Sequence, residues 1–222
     1  MSDYLFTLSK CKSADKDALI PDWTNTVGVR AFAGKTTLES VVFEEGPRGL
    51  DEEAFASCQN LAKLELPSTL WRIGKGCFKH CTALTALELL EETSTLEEEA
   101  FKGCTALERV VFPESLRHLR AACFEDCASL VVLELPDSLR SLGEAAFKGC
   151  SALEEAYVPQ RIAVIGPETF AGCSSLRQVT LPDGLRRIES RAFAGCTSLQ
   201  QPVFPESLEY VAPDAFEGVG EE

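Results

Sequence analysis

Apolar residues recur along most of the chain with one constant period, at every twenty-third position. The clearest column consists of nine phenylalanines: Phe32, Phe55, Phe78, Phe101, Phe124, Phe147, Phe170, Phe193 and Phe216. A leucine follows six residues after eight of them, and a leucine, isoleucine or valine follows eighteen residues after eight of them. A period between about 20 and 50 residues indicates a solenoid, in which each repeat is one coil that buries its apolar side against its neighbours. This register excludes two conventional globular domains.

Each repeat contains a short alternating segment that predicts a strand. Positions nine and eleven after Phe are mostly apolar, as in Leu133 and Leu135, whereas the residue between them varies, as in Glu134. This period of two is typical of a strand with one buried face. A proline follows in six repeats, where it can end the strand because it has no N–H to donate. Stacked coils are therefore predicted to form one parallel sheet.

The segment around each Phe predicts a short helical or 3₁₀ turn. The stretch Gly143–Phe147, with the sequence GEAAF, favours a helical turn. A left-handed residue often ends a helix, and glycine adopts that conformation readily. Six repeats have glycine two residues after Phe, namely Gly34, Gly103, Gly149, Gly172, Gly195 and Gly218.

Three segments are expected along the chain. Pro21 lies eleven residues before Phe32, at the position of the strand-ending proline, so the repeats begin near residue 18. Residues 1–17 are then an N-terminal cap, residues 18–218 are about eight to nine coils of the solenoid, and residues 219–222 are an acidic tail. A solenoid normally protects its last coil. The tail, a neighbouring molecule or further polypeptide could cover the C-terminal coil.

These repeats resemble the BspA-type leucine-rich repeat family. The segments Leu142–Leu153 (LGEAAFKGCSAL) and Leu181–Ile188 (LPDGLRRI) match its pattern, and the resemblance spans about residues 18–218. It implies an α/β repeat protein, a curved right-handed solenoid with a parallel sheet on its inner face. Members look like protein-binding surfaces, and several are bacterial or protist adhesins exposed at the cell surface. Pro202 departs from the pattern at an inward strand position, which predicts a frayed last strand.

The cysteines follow the same register. Nine of the ten are in the repeats: Cys58, Cys81, Cys104, Cys127, Cys150, Cys173 and Cys196 lie three residues after Phe, and Cys77 and Cys123 directly precede one. A spacing of one whole repeat does not provide the close pairs that zinc sites use. Parallel Cβ vectors also keep neighbouring thiols too far apart for a disulfide. We expect small buried thiols and no metal or cofactor, and so many free thiols favour a reducing compartment.

Charge and motif content argue against several function classes. The net charge of −14 disfavours a nucleic-acid partner, because Lys and Arg dominate contacts to phosphate. No apolar run reaches the roughly 20 residues of a membrane span, and the first residues lack a signal-peptide pattern. These features predict a cytoplasmic protein, with the cell surface as the alternative. His80 and His118 have no nucleophile and orienting carboxylate implied by the repeat, so no enzyme is expected. The glutamate runs lack the ligand spacing of a Ca²⁺ loop.

The outward residues of the strands predict a protein-binding surface. They lie eight and ten positions after each Phe and form two columns on the inner face. An apolar centre with a charged rim and an aromatic residue is typical of protein-recognition patches. The predicted central contacts are Arg109, Val111, Val132, Glu134 and Tyr157, and Lys63, Glu65 and Glu88 widen the site. The alternative is that these are simply solvated positions.

A second charged feature combines arginines with an acidic stripe. The arginines lie sixteen and seventeen residues after Phe: Arg48, Arg72, Arg117, Arg140, Arg186 and Arg187. The stripe lies thirteen residues after Phe: Glu45, Glu91, Glu114, Asp137, Asp183 and Glu206. Cross-coil charge pairing is the simplest interpretation. The alternative is docking of an acidic partner segment on the arginines.

The leading hypothesis is a non-enzymatic solenoid that binds a protein partner along its inner strand face. A pre-ordered sheet loses little backbone entropy on binding, which favours this role. The alternatives are a surface or secreted adhesin, which the resemblance favours, and a structural subunit of a larger assembly.

Overall fold

Most repeats of the protein contribute two short strands, joined by turns. The computed structural model describes residues 7–8 and 16–220. In chain order the strands are β1 (Thr7–Leu8), β2 (Asp17–Ile20), β3 (Thr26–Val27), β4 (Ser40–Phe43), β5 (Gly49–Leu50), β6 (Lys63–Glu65), β7 (Arg72–Ile73), β8 (Ala86–Glu88), β9 (Thr95–Leu96), β10 (Arg109–Val111), β11 (His118–Leu119), β12 (Val132–Glu134), β13 (Ser141–Leu142), β14 (Glu155–Tyr157), β15 (Val164–Ile165), β16 (Gln178–Thr180), β17 (Arg187–Ile188) and β18 (Tyr210–Val211).

The first line of strands is the parallel sheet that the alternation predicts. It runs as β2–β4–β6 and, after a break, as β8–β10–β12–β14–β16. Neighbouring strands pair with a shift of one whole repeat, so Arg109 lies opposite Val132 and Val132 opposite Glu155. The middle residue of each strand from β8 onward is buried and its two neighbours are exposed. The predicted one-sided burial is therefore confirmed.

A second line of parallel strands occupies the predicted return segment, so the prediction of one parallel sheet is wrong. It runs as β1–β3–β5–β7–β9–β11–β13 and continues separately as β15–β17–β18. Most of these strands turn one apolar side chain into the core, as Leu119 and Ile188 do. A strand of two residues has no alternation to read, which is why the sequence pattern does not reveal it.

The helical or 3₁₀ turns expected around each Phe are not confirmed, because the described residues contain turns and strands but no helix. Left-handed residues lie two positions before and two positions after Phe, as in Glu53 (φ 52°) and Ser57 (φ 59°). These two residues prevent a continuous helix from forming on either side of Phe55. The N–H of Phe55 consequently donates to the carbonyl of Cys77 in the next coil, at 2.8 Å. Hydrogen bonds between coils thus replace those within a helix, and the chain is a β-solenoid.

The nine phenylalanines form a single column through the core, as predicted. Consecutive ring centroids are 4.8 to 5.7 Å apart, and consecutive ring planes lie within 13° of parallel. All are buried except Phe216 in the last coil, which is half-buried. Each inner ring therefore contributes both buried apolar area and two stacked neighbours to the core.

The predicted segment boundaries remain predictions. Most of the expected cap, residues 1–17, and the end of the expected tail, residues 219–222, lie outside the described residues. Within the described part, Asp17 already starts β2, and β1 pairs with β3. Residues 201–205 form no strand, so the frayed last strand predicted from Pro202 is confirmed.

Candidate functional site

All eight predicted contact residues are exposed on the first line of strands. Five of them form a continuous surface, here called the central patch: Arg109, Val111, Val132, Glu134 and Tyr157. Strands β10, β12 and β14 carry them, and the register places Arg109 opposite Val132 and Glu134 opposite Tyr157. Glu88 lies opposite Val111 on the neighbouring strand β8.

The two remaining predicted residues lie farther along the solenoid. Lys63 and Glu65 are exposed at the two ends of β6. The hydrogen-bonded ladder is interrupted between β6 and β8, so they belong to a different sheet from the central patch. The structure therefore brings together six of the eight predicted residues and places these two beyond a break.

Two shallow grooves cross the central patch. One has a volume of about 290 Å³ and is lined by Val132, Glu134 and Tyr157, among others. The other, of about 370 Å³, is lined by Arg109, Val111, Val132 and Glu134. Val132 and Glu134 line both grooves, so the two lie side by side on the sheet.

Tyr157 provides the aromatic side chain of the patch and is held in place by the preceding coil. Its side chain remains 37% exposed, while its hydroxyl donates a hydrogen bond to Oδ1 of Asp137 at 3.2 Å. This contact limits the rotation of the ring, so less side-chain entropy is lost when a partner packs against it.

Val131 belongs to the same surface, although the alternating pattern does not mark it. It directly precedes β12, is 41% exposed and lines a groove with Val132 and Tyr157. It lies seven residues after Phe, outside the two columns that the alternation defines. Two consecutive valines at outward positions are the signal that would have found it.

The charges at the rim of the patch are mixed. Within residues 16–220, Arg109 forms no ion pair, whereas Arg177, about three coils farther along the solenoid, lies 3.8 Å from a carboxylate oxygen of Glu154. Glu134 and Glu155 lie beside the exposed valines. An arginine without a carboxylate partner is free to pair with an acidic group of a bound molecule, at the cost of little rearrangement.

The predicted cross-coil charge pairing is confirmed only in part, and among the described residues none of these arginines forms an ion pair with a carboxylate of the acidic stripe. Arg72, Arg186 and Arg187 do pair, but with Asp51 (3.6 Å), Glu209 (2.6 Å) and Glu189 (2.8 Å), which lie outside the stripe. The stripe instead accepts other hydrogen bonds: Glu45 accepts one from the Ser68 hydroxyl. Arg117 reaches the backbone carbonyl of Glu114 and not its carboxylate, at 2.6 Å.

The cysteines are buried thiols, as predicted, and those three residues after Phe, here called the main column, also form hydrogen bonds that the sequence pattern does not reveal. Nine are described, and all are free and buried. Each thiol in the main column donates to the carbonyl of the Phe one coil earlier, at Sγ–O distances of 3.1 to 3.3 Å. Burial raises the pKa of Cys58 to about 11 and that of Cys104 to about 12, which disfavours the nucleophilic thiolate.

The described ranges contain neither a metal-binding cluster nor a membrane-spanning helix. In residues 7–8 and 16–220, no group of three or more His, Cys, Asp or Glu side chains is arranged to hold a metal ion. No helix in that part of the chain is long and apolar enough to cross a membrane.

Comparison with known structures supports the repeat architecture. A leucine-rich repeat protein of T. pallidum is 25% identical, covers 88% of this chain and 83% of its own, and has a TM-score of 0.64. One from Eubacterium ventriosum ATCC 27560 is 15% identical over 93% of this chain and 83% of its own, with a TM-score of 0.55.

The family follows from a sequence model. No curated protein matches the chain. The model of the BspA type leucine rich repeat region matches in six copies, over residues 1–131 and 94–220. Proteins of this kind generally serve in protein interaction or adhesion. The match agrees with the repeat pattern and the parallel solenoid of this chain. The chain therefore belongs to the BspA-type leucine-rich repeat family.

Proposed function

We propose that the protein is a non-enzymatic interaction module that binds a protein partner on the central patch and Val131. The observation that supports this most strongly is the group of exposed apolar side chains on a rigid sheet: Val111, Val131, Val132 and Tyr157 are 37 to 51% exposed. Contiguous apolar side chains with a polar rim are characteristic of sites at which a protein partner packs.

The energetics of such a site follow from its composition. The apolar side chains and the restrained Tyr157 supply the affinity, since a few buried anchors dominate most interfaces. Arg109 and Glu134 at the rim supply orientation and partner selection through charge complementarity. Lys63, Glu65 and Glu88 extend the contact for a partner that lies along several coils.

A double substitution tests the site. Tyr157→Ala with Arg109→Ala should weaken partner binding about 30-fold or more, because truncated hot-spot residues typically cost at least about 2 kcal/mol. The partner is first identified by affinity capture with the intact protein and mass spectrometry. Its dissociation constant is then measured by biolayer interferometry for both proteins.

The matched control removes the same residue classes elsewhere. Trp71 is 53% exposed, and Arg48 forms no ion pair within residues 16–220. Trp71→Ala with Arg48→Ala should leave the affinity within about twofold, since surface changes away from an interface are nearly neutral. Both variants should unfold at nearly the temperature of the parent protein. Equal binding by the Tyr157/Arg109 variant and the parent would refute the assignment of the site.

We place this activity in the cytoplasm, with a surface adhesin as the second candidate. The buried free thiols support a reducing compartment, whereas the adhesin is supported by the family. Antibody labelling of intact cells separates the two, since only a surface protein is labelled before the cells are permeabilised.

A further inference from the structure

A cluster of basic residues lies on the second line of strands, and the protein-binding site does not use it. His118 starts β11 and Ser141 starts β13, and these two residues are paired across the sheet. Arg117 and Arg140 directly precede them, and the N–H of Arg140 donates to the carbonyl of Arg117 at 2.8 Å. The backbones of the two arginines are therefore one strand spacing apart, about 4.8 Å. Arg120 follows β11 and completes what is here called the basic cluster: Arg117, His118, Arg120, Arg140 and Ser141.

The charges of the basic cluster are not neutralised. Of the other arginines sixteen or seventeen residues after a column Phe, three have carboxylate partners within 4.0 Å: Arg72 with Asp51, Arg186 with Glu209, and Arg187 with Glu189. Only Arg48 shares the lack of an ion pair within residues 16–220, and it has no second unpaired arginine beside it in its column. Across residues 16–220, Arg117, Arg120 and Arg140 form no ion pair at all. Arg117 donates only to the backbone carbonyls of Glu114 and Leu116, at 2.6 and 3.2 Å, which leaves its charge in place.

Three guanidinium groups without a carboxylate partner are unexpected in a chain whose net charge is −14. The chain has many carboxylates, and Glu97 lies one coil before Arg120 in the same column. Even so, no described carboxylate comes within ion-pair distance of the three arginines. Like charges on neighbouring strands repel one another, so this arrangement raises the free energy of the folded protein unless an anion occupies it.

His118 and Ser141 add a neutral donor to the cluster. His118 Nδ1 lies 2.8 Å from the Ser141 hydroxyl oxygen. If the hydroxyl donates to Nδ1, the Nε2–H of the ring is free, and if Nδ1–H donates, the hydroxyl hydrogen is free. Either tautomer leaves one donor. Burial, together with Arg120, Arg140 and Arg117, lowers the pKa of His118, so the ring is neutral at pH 7.5.

We propose that the basic cluster is a binding site for a divalent tetrahedral oxyanion, a phosphate or sulfate group. The guanidinium groups of Arg117 and Arg140 offer planar sets of N–H donors, which suit the oxygens of such a group. Arg120 adds a third positive charge, and the His118–Ser141 pair donates to a further oxygen. An anion held between the arginines converts their mutual repulsion into two attractive contacts. This site is separate from the central patch and does not depend on its function.

The test uses inorganic phosphate and sulfate as probes. The ring signals of His118 are followed by NMR at pH 7.5 while sodium phosphate, sodium sulfate or sodium chloride is added at matched ionic strength. His80, the second histidine of the chain, is the internal reference. We expect saturable shifts of His118, but not of His80, with phosphate, sulfate or both, and none with chloride. Which of the two anions binds identifies the preferred group.

Two matched variants locate the binding. Arg117→Gln with Arg140→Gln removes two charges from the cluster and should weaken anion binding about tenfold or more, because hydrogen bonds between charged groups are stronger than those between neutral ones. Arg186→Gln with Arg187→Gln removes two charges that already have carboxylate partners. It should change the affinity by less than about twofold, since exposed, already paired charges contribute little at a distance.

Three results would overturn the proposal. They are a response to chloride equal to that for phosphate and sulfate, no saturable shift of His118 with either anion, and equal weakening in the two double variants. Thermal unfolding shows whether each variant is folded. If the Arg117/Arg140 variant is not, the exposed Arg140→Gln and Arg186→Gln single variants are compared in its place, with a loss of affinity expected only for the first.

Discussion

At the scale of the residue, the cysteine of each repeat both fills a small buried space and donates a hydrogen bond. The carbonyl of Phe55 accepts the backbone N–H of Cys58 at 3.2 Å in its own coil and the thiol of Cys81 at 3.2 Å in the next. Alanine would fill much of the same space but has no donor. This second role explains why a cysteine three residues after Phe suits the repeat.

The burial of the thiols predicts slow alkylation. The nine described cysteines should remain largely unmodified by iodoacetamide at pH 8 in the folded protein. They are buried, and a thiol with a pKa of about 11, as in Cys58, has a thiolate fraction of only about 10⁻³ at that pH. Peptide mass spectrometry measures the labelling of each cysteine. Unfolding in guanidinium chloride is the control, and it should expose all nine. Rapid labelling of Cys127 in the folded protein would contradict the prediction.

His118 predicts a specific dependence of stability on pH. Its pKa in the folded state is lowered from 6.5 by burial and the neighbouring arginines. The unfolded state therefore takes up the proton first as the pH falls below about 6.5, which destabilises the folded state, and this contribution is absent at higher pH. His118→Gln should lose less stability than the parent between pH 7.5 and 5.5. Urea unfolding at the two pH values measures the difference, and equal losses would rule out this role.

At the scale of the element, sequence pattern succeeds where a segment is long enough to have a period. The three residues of β12 and their neighbours alternate clearly, whereas the two residues of β13 do not. The helical turn predicted before Phe147 is not confirmed, for a different reason: Ala145, with φ 53°, has no feature in the sequence that marks a left-handed residue. The N–H of Ala145 donates to the carbonyl of Pro167 in the next coil at 2.9 Å. Hydrogen bonding between coils therefore overrides the local helical preference.

The close approach of neighbouring coils predicts different costs for two glycine substitutions. A Cβ at Gly143 would lie 2.4 Å from the carbonyl carbon of Arg120 and 2.5 Å from the nitrogen of Ala121. Gly143→Ala should therefore destabilise the protein by about 2 kcal/mol or more, because backbone atoms must move. A Cβ at Gly34 would meet nothing within 4 Å, although φ is +72°. Gly34→Ala should cost only about 1 kcal/mol. Urea unfolding measures both, and equal losses would contradict this account.

The sequence pattern predicts which residues share the face of the candidate site, but not the side-chain contacts within it. The columns placed Arg109, Val132 and Tyr157 on one face, because side-chain direction in a strand follows from position alone. The hydrogen bond from Tyr157 to Asp137 and the lack of partners for Arg117 depend on how far each side chain reaches. Such contacts between side chains on different coils require coordinates.

At the scale of the whole molecule, each coil contacts mainly its two neighbours, so the stack behaves as a nearly one-dimensional system. Stability in such a system is a sum of repeat and interface contributions. The Phe column shows the consequence. Phe124 stacks on Phe101 at 5.4 Å and on Phe147 at 5.7 Å, whereas Phe216 stacks on Phe193 alone in the column. The same residue type therefore contributes differently at different positions.

Two truncations test this dependence on position. Phe124→Ala should destabilise the protein by about 3–5 kcal/mol, because it leaves a cavity lined on both sides by rings. Phe216→Ala should cost clearly less, since its ring is half-buried and has one stacked neighbour in the column. Thermal and denaturant unfolding compare the two. A loss at Phe216 as large as that at Phe124 would contradict the nearest-neighbour description.

The hydrogen bonds between coils also determine which changes in length a gene for this protein tolerates. Strand partners are separated by one whole repeat, and each thiol of the main column bonds a carbonyl of the preceding coil. Losing one or two residues within a coil therefore misaligns every contact with the next. Removing or duplicating a whole repeat instead restores all of them and changes the length by about 4.8 Å. Copy number is therefore the variable by which the span of such a protein evolves or can be engineered, while each outward side chain keeps its direction.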